Sequence, residues 1–326
     1  MHIPLRMNEP ALPLDDPPSN PPVHRPVLLE EVVSWLAPEE GSILVDGTVG
    51  AGGHASALAK LVGTTGRLIG LDRDPEMLAL AERAVEGLPV TLVNDSYADL
   101  GNVLDRLEID GVDGIVLDLG LSSDQLAWSH RGFSFAEDGP LDMRFDPRTR
   151  ESAADLVNDL DEKELADLIF EYGEERHSRR IAKRIVEARR VEPIVTTARL
   201  AEVVRKGVPG KWGAIDPATR TFQALRIAVN GELELLDQFL QDVASYLNPG
   251  GKAAIISFHS LEDRRVKHSF REDPELTVLT RKPVTATAEE LATNPRARSA
   301  KLRVAQRCPE PNPPTTSPSD ATTRDR

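Results

Sequence analysis

The chain is poor in the residues that build cross-links and metal sites. A single cysteine, Cys308, stands in 326 residues, which rules out a disulfide framework and a cysteine-built zinc site. The seven histidines are scattered and none forms a His-Glu-x-x-His pair, so neither a structural nor a catalytic metal is expected. No apolar run reaches the ~18 residues of a membrane span. The start of the chain lacks the apolar core of a secretory signal. These absences predict a cytoplasmic protein with no membrane partner. Hydrophobic residues nevertheless make up 40%, ample for one large domain or one domain carrying an insertion. Residues 1–22 hold seven prolines, and 308–326 are rich in Pro, Ser, Thr and Asp. Both stretches are expected to be disordered tails.

Net charge is −14, which argues mildly against a nucleic-acid partner, but its distribution says more than its sum. Residues 151–175 hold ten acids and one base. Residues 176–211 hold eleven Lys or Arg against three acids, and 281–307 hold seven against two. Two basic segments in an acidic chain suggest a local phosphate-binding surface, although a solvated helix face gives the same pattern.

The most informative stretch is Ile43-Leu-Val-Asp-Gly-Thr-Val-Gly-Ala-Gly-Gly-His54. An apolar run ends in Asp46 and glycines follow, so the backbone can turn sharply and approach a ligand. The helix-like Ala55–Leu61 comes next. Strand, glycine turn and helix make a nucleotide-type pocket at a strand's carboxyl end. A second apolar run, Arg67–Asp72, ends 22 positions after Gly50, near the ~20 expected of a ribose-binding carboxylate. Gly50-Ala-Gly-Gly-His-Ala55 also fits a dinucleotide pattern. Asp46 favours S-adenosylmethionine, because an acid there repels a pyrophosphate and suits a sulfonium and an ammonium.

βα signals alternate through the first part of the chain. Val27–Ala37 and Pro75–Gly87 have helical spacing; Ser42–Asp46, Arg67–Asp72, Val90–Asn94 and Gly114–Asp118 read as strands. Nearly all-apolar strands are buried on both faces, as in a parallel sheet. The alternation then stops. Residues 125–150 look like loop and 152–230 are helical in period, with Leu156, Leu160, Leu165, Leu168 and Ile169 on one face and Ile181, Ile185, Val186 and Ala188 on another. It resumes at Leu233–Leu247 and the strand Lys252–Ser257, and Leu276–Leu279 with Leu302–Ala305 form a last antiparallel pair. The expected fold is α/β, a doubly wound Rossmann-like core over 23–130 and 226–307 with an all-helical insertion at 131–225.

Six motifs then stand in order: His24–Glu30, Asp46–His54, Gly70–Pro75, Leu117–Ser123, Gly139–Arg144 and Ile256–Arg264. Together they resemble the MraW, or RsmH, family of bacterial ribosomal RNA methyltransferases over about residues 23–307. The resemblance implies S-adenosylmethionine-dependent methylation of the N4 amine of one cytidine in 16S rRNA, in the decoding centre near the P site of the small subunit. It implies cofactor contacts by Gly52, Gly53, His54, Asp72, Asp118 and Gln125, with Tyr97 where familiar members carry the phenylalanine beside the adenine. Asp46 and Gly50 join this set from the glycine turn itself. The oligomeric state stays open, a homodimer being one alternative.

A cytosine N4 lone pair is delocalised into the ring, so an acceptor for an N4 proton and close positioning must supply the rate. The Pro-Pro-aromatic turn of DNA amino-methyltransferases is missing, and Asp118-Leu-Gly-Leu-Ser-Ser123 stands in its place. Asp118, Ser122 and Asp142 are the catalytic candidates, Asp118 either holding the cofactor's methionine end or approaching N4. Plainer roles compete: a turn cap for Asp118, a loop ion pair with Arg144 for Asp142, a backbone bond for His54, an ordinary loop amide for Gln125. His259 and Glu262 follow a strand, where α/β sites form, but a structural histidine is an equal alternative. Rival functions are a DNA or small-molecule methyltransferase and a cofactor-binding assembly factor without catalysis.

Overall fold

In a computed structural model, residues 26–149, 151–210, 213 and 216–309 are described. The expected N-terminal tail, and the C-terminal one beyond Pro309, lie outside them, as do His24 and Arg25 of the first motif. The elements in chain order are α1 (Leu29–Leu36), β1 (Ile43–Asp46), α2 (Gly53–Val62), β2 (Arg67–Leu71), α3 (Pro75–Ala84), β3 (Val90–Val93), α4 (Leu100–Arg106), β4 (Val112–Asp118) and α5 (Ser123–Ala127). Then follow α6 (Ala153–Asp159), α7 (Glu162–Gly173), α8 (Ser178–Arg189), α9 (Thr197–Gly207), α10 (Ala218–Asn230) and α11 (Glu232–Tyr246). The chain closes with β5 (Leu247–Ser257), α12 (Ser260–Glu272), β6 (Leu276–Val278), α13 (Ala288–Thr293) and β7 (Lys301–Arg307).

The strands form one seven-stranded sheet in the order β3-β2-β1-β4-β5-β7-β6. The first five run parallel, and β7 enters antiparallel between β5 and β6. Apolar side chains cover both faces. Leu236, Phe239 and Val243 of α11 pack on one, with Val266 and Phe270 of α12. Val32 and Leu36 of α1 and Ala55, Leu58 and Val62 of α2 pack on the other. Fully buried strands read as continuous apolar runs for this reason. The ladder of β5 reaches back to Leu247, past the turn expected at Asn248-Pro-Gly-Gly, because residues 248–251 of β5 loop out opposite Val112–Gly114 of β4 and take up the shift in register.

Helices α6–α10 lie between β4 and β5 with an apolar cluster of their own, built on Leu165, Ile169, Ile181, Ile185, Leu200, Phe222 and Leu225. Phe133, Leu141 and Met143 of the preceding loop join it. The chain does not break at 225: α10 continues to Asn230, where Gly231 takes φ 59° and ends it. Among the described residues no helix is long and apolar enough to cross a membrane.

Candidate functional site

A cleft, partly open to solvent, lies at the carboxyl ends of the parallel strands, where sites of this fold form. The glycine turn builds one wall. Gly50 and Gly52 hold φ of 51° and 87°, which L side chains rarely adopt. A Cβ on Gly52 would also meet Ala84 at 3.0 Å. Asp72, just past β2, accepts hydrogen bonds from the backbone N–H groups of Gly50 and Asp74, both at 2.9 Å. Burial pushes its carboxyl up to about 7, against those two bonds. Asp46 is 1% exposed beneath the turn, and burial raises it to about 6, with His54 pulling the other way. Its Oδ2 finds no hydrogen-bond partner among the described residues.

Asp118 ends β4, where its N–H donates to the Thr48 hydroxyl at 2.6 Å and ties the strand to the turn. His54 lies 3.0 Å from the Val27 carbonyl through Nε2 and 3.8 Å from Asp118 Oδ2 through Nδ1. A carbonyl only accepts, so Nε2 carries a proton, and Nδ1 faces the Asp118 carboxylate. Tyr97 sits edge-on to Phe239 at 5.7 Å, and burial raises its phenol.

Of the sequence-derived residues, Gly50, Gly53, His54, Asp72, Tyr97, Asp118, Ser122 and Gln125 line the cleft. Asp46 and Gly52 support it from behind. Ser122 is already committed: its hydroxyl accepts from Gln125 N–H at 3.0 Å and donates to Met77 Sδ at 3.1 Å, capping α5. The structure does not bring Asp142 to the cleft. That carboxylate holds Arg144 Nε and Nη2 at 2.9 and 2.7 Å, and the pair keeps Asp142 below the ordinary carboxylate range despite partial burial. Gln125 Nε2 donates to Asp74 Oδ2 at 2.9 Å, and Arg131 also binds Asp74 at 2.9 Å.

The far wall comes from residues outside the motifs, Phe145, Glu232, Leu235, Leu236 and Arg296, joined by Arg73 and Glu262 from within them. Glu232 was legible as the first acid after an Asn-Gly helix boundary; Arg296 lies too far along the chain for any local signal. Glu232, His259 and Glu262 each put one ligand atom within 4.8 Å of the others. Partners within the fold engage both carboxylates. Arg226 binds both oxygens of Glu232 at 2.7 and 2.8 Å, and Glu262 caps α12 while pairing with His259 at 3.0 Å. The basic segment 281–307 is partly spent inside the fold, while Arg281, Lys282 and Arg298 stay exposed. Arg303 and Lys301 pair with Asp263, and Arg307 donates to the Leu247 carbonyl.

A parallel sheet that carries a glycine turn, a ribose-spaced acid and a third acid at the end of β4, all on one cleft, defines an S-adenosylmethionine-dependent methyltransferase. The comparisons go further. The profile of the MraW methylase family matches residues 22–308, and the chain belongs to that family. It is 50% identical over 307 residues to a ribosomal RNA small subunit methyltransferase H from Pelobacter propionicus, covering 87% of this chain and 98% of that one. The protein of that name from Deinococcus radiodurans is 50% identical over 296 residues, covering 90% and 93%. Among solved structures, a putative rRNA-methylase from Clostridium thermocellum overlays with a TM-score of 0.43 at 15% identity, covering 86% of this chain and 97% of that one.

If Asp72 must be ionised to accept the ribose hydroxyls, cofactor affinity follows its titration. With the carboxyl at about 7, the dissociation constant should rise about tenfold between pH 8 and pH 6. The sign follows from protonation removing the acceptor. Calorimetry at the two pH values checks this, and Asp72→Asn should bind more weakly and lose the step. An Asp72→Asn protein that keeps the step would assign it to another group.

Proposed function

We propose that the protein methylates the N4 amine of a specific cytidine in the decoding centre of 16S rRNA, near the P site of the small ribosomal subunit, in the cytoplasm. One observation carries this reading. A single cleft joins the glycine turn and its acids to a second wall from α11, α12 and residue 296, with Asp118 between them. The first wall suits the cofactor: Asp72 for the ribose, Tyr97 beside the adenine, Gly52, Gly53 and Gln125 around the turn. Asp46, His54 and Asp118 would take the amino end, whose ammonium suits the carboxylates of Asp46 and Asp118 at the cleft. When bound, the cofactor supplies a methyl group on positively charged sulfur, which becomes a neutral thioether as the N4–carbon bond forms. Asp118 accepts an N4 hydrogen, localises the lone pair and takes the departing proton, which then passes to water. Ser122 acts only through its helix cap, and Asp142 takes no part in proton transfer.

Helices α6–α10, together with the loop before them, serve in this reading as the rRNA-facing unit. On α8, Arg179, Arg180, Lys183 and Arg184 are exposed while Ile181, Ala182, Ile185 and Val186 are buried. Glu174, four residues before α8, accepts hydrogen bonds from Ser260 and Arg264 of α12. The basic face therefore starts beside the helix that brings Glu262 to the cleft. Changing Arg179, Arg180 and Lys183 to glutamate should weaken subunit binding and lower its log–log salt slope by about 0.7–0.9 per lost phosphate contact. Cofactor affinity should hardly move. An unchanged slope would reduce these residues to a solvated helix face.

The function itself is tested by offering labelled cofactor with small subunits, free 16S rRNA, DNA or no acceptor. Label in the small subunit alone, or in it and free rRNA, supports the proposal. Label in DNA, or none in any acceptor despite tight cofactor binding, supports the rival functions.

A further inference from the structure

We propose that Arg296 reads the ring edge of the target base, donating from its guanidinium to N3 and O2 while Asp118 accepts from N4. The assignment rests on the cytosine-N4 reading above and adds a specificity residue to it. Arg296 comes from the turn Pro295–Ser299, which Ala297 and Ala300 anchor in the core beside α1 and α2. Its half-buried side chain lines the cleft with Asp118. Its Nη1 donates to the Ser123 hydroxyl at 2.8 Å, and Ser123 begins α5, five residues beyond Asp118 at the end of β4. Donor and acceptor thus flank one segment.

That juxtaposition matches one class of base edge. Cytosine presents an amine hydrogen at N4, then acceptors at N3 and O2. A guanidinium offers donors in a planar fork that suits two adjacent acceptors. Uracil reverses the first two positions. Its O4 would face the carboxylate and its N3–H the guanidinium, acceptor against acceptor and donor against donor, an arrangement that rejects the wrong partner. Donation to N3 and O2 also draws density from the ring and makes the N4 proton easier to surrender to Asp118. Proton loss and base choice therefore depend on the same pair.

The test uses the full chain, unmodified small subunits and single-turnover methylation. Arg296→Gln should lower kcat/KM by about 5- to 150-fold, the worth of one good bidentate base contact, and leave the S-adenosylmethionine dissociation constant within about twofold. Arg296→Lys keeps the charge without the fork and should recover only part of the rate; full recovery would make Arg296 a point charge and overturn the assignment. Subunits carrying 3-deazacytidine at the target remove the N3 acceptor. The wild-type rate should then respond to that change more than the Arg296→Gln rate does, because the variant has already lost the bond. Losses that multiply would overturn the proposal, since a structural role does not know which atom sits at ring position 3. A cofactor affinity that falls in step with the rate would give Arg296 to the cofactor's carboxylate instead. Wild-type protein that fails to methylate small subunits would sink the cytosine-N4 reading itself, a result distinct from any failure of the variants.

Discussion

Asp118→Asn should fold normally and lose about 10²–10⁴-fold in single-turnover methylation at saturating cofactor, the usual worth of a positioned proton acceptor. The substitution keeps shape, so the Asp118 N–H can still reach the Thr48 hydroxyl. It removes the charge that faces His54 across 3.8 Å and puts an amide donor where an N4 hydrogen must be accepted. Titrating cofactor separates the two roles of the carboxylate. A rate that stays low at saturation places its effect on the chemical step. A rate restored by more cofactor would confine Asp118 to binding, and near-normal turnover throughout would leave it a turn residue.

The second large effect is on stability. Arg131 and Asp74 pair at 2.9 Å with side chains only 10% and 0% exposed. Arg131 also binds Glu76 at 2.9 Å and donates to the carbonyls of Arg144 and Phe145. One guanidinium thus joins the loop after β2 to the segment that brings Phe145 to the cleft. Arg131→Met should destabilise the protein by about 3–5 kcal/mol in urea unfolding, because it strands a buried carboxylate. Asp74→Asn added to Arg131→Met should recover part of that loss, since the uncompensated charge is the main cost. If Arg131→Met changes stability by less than about 1 kcal/mol, the pair's attraction only matches its desolvation.

Elements whose evidence is local were legible in the sequence. Buried parallel strands show as apolar runs, so β1, β2 and β4 and the acids at or just past their ends could be read directly. The spacing from Gly50 to Asp72 reflects one βα unit and survives folding as a hydrogen bond. The loss of alternation after β4 marked the helices that now share one cluster. Groups brought together from distant positions were not legible. Arg131 meets Asp74 across 57 positions, and Arg296 meets Ser123 across 173. No periodicity encodes such pairs. Ser122 is a different case. Ser122-Ser-Asp-Gln125 fits the capping-box pattern, which would have assigned its hydroxyl to a helix end before any substrate. A count over 281–307 overstates the available charge, because Asp263 and the Leu247 carbonyl take Lys301, Arg303 and Arg307, three of its seven bases.

The central claim is tested most directly by the identity of the methylated nucleoside. Small subunits lacking the modification are incubated with the protein and labelled cofactor, and the rRNA is digested and its nucleosides resolved by mass spectrometry. Label in N4-methylcytidine, at one position of 16S rRNA and absent with Asp118→Asn, is the predicted result. Label in a C5-methylated pyrimidine, a ribose methyl or a purine would contradict the account, whatever the affinity for cofactor.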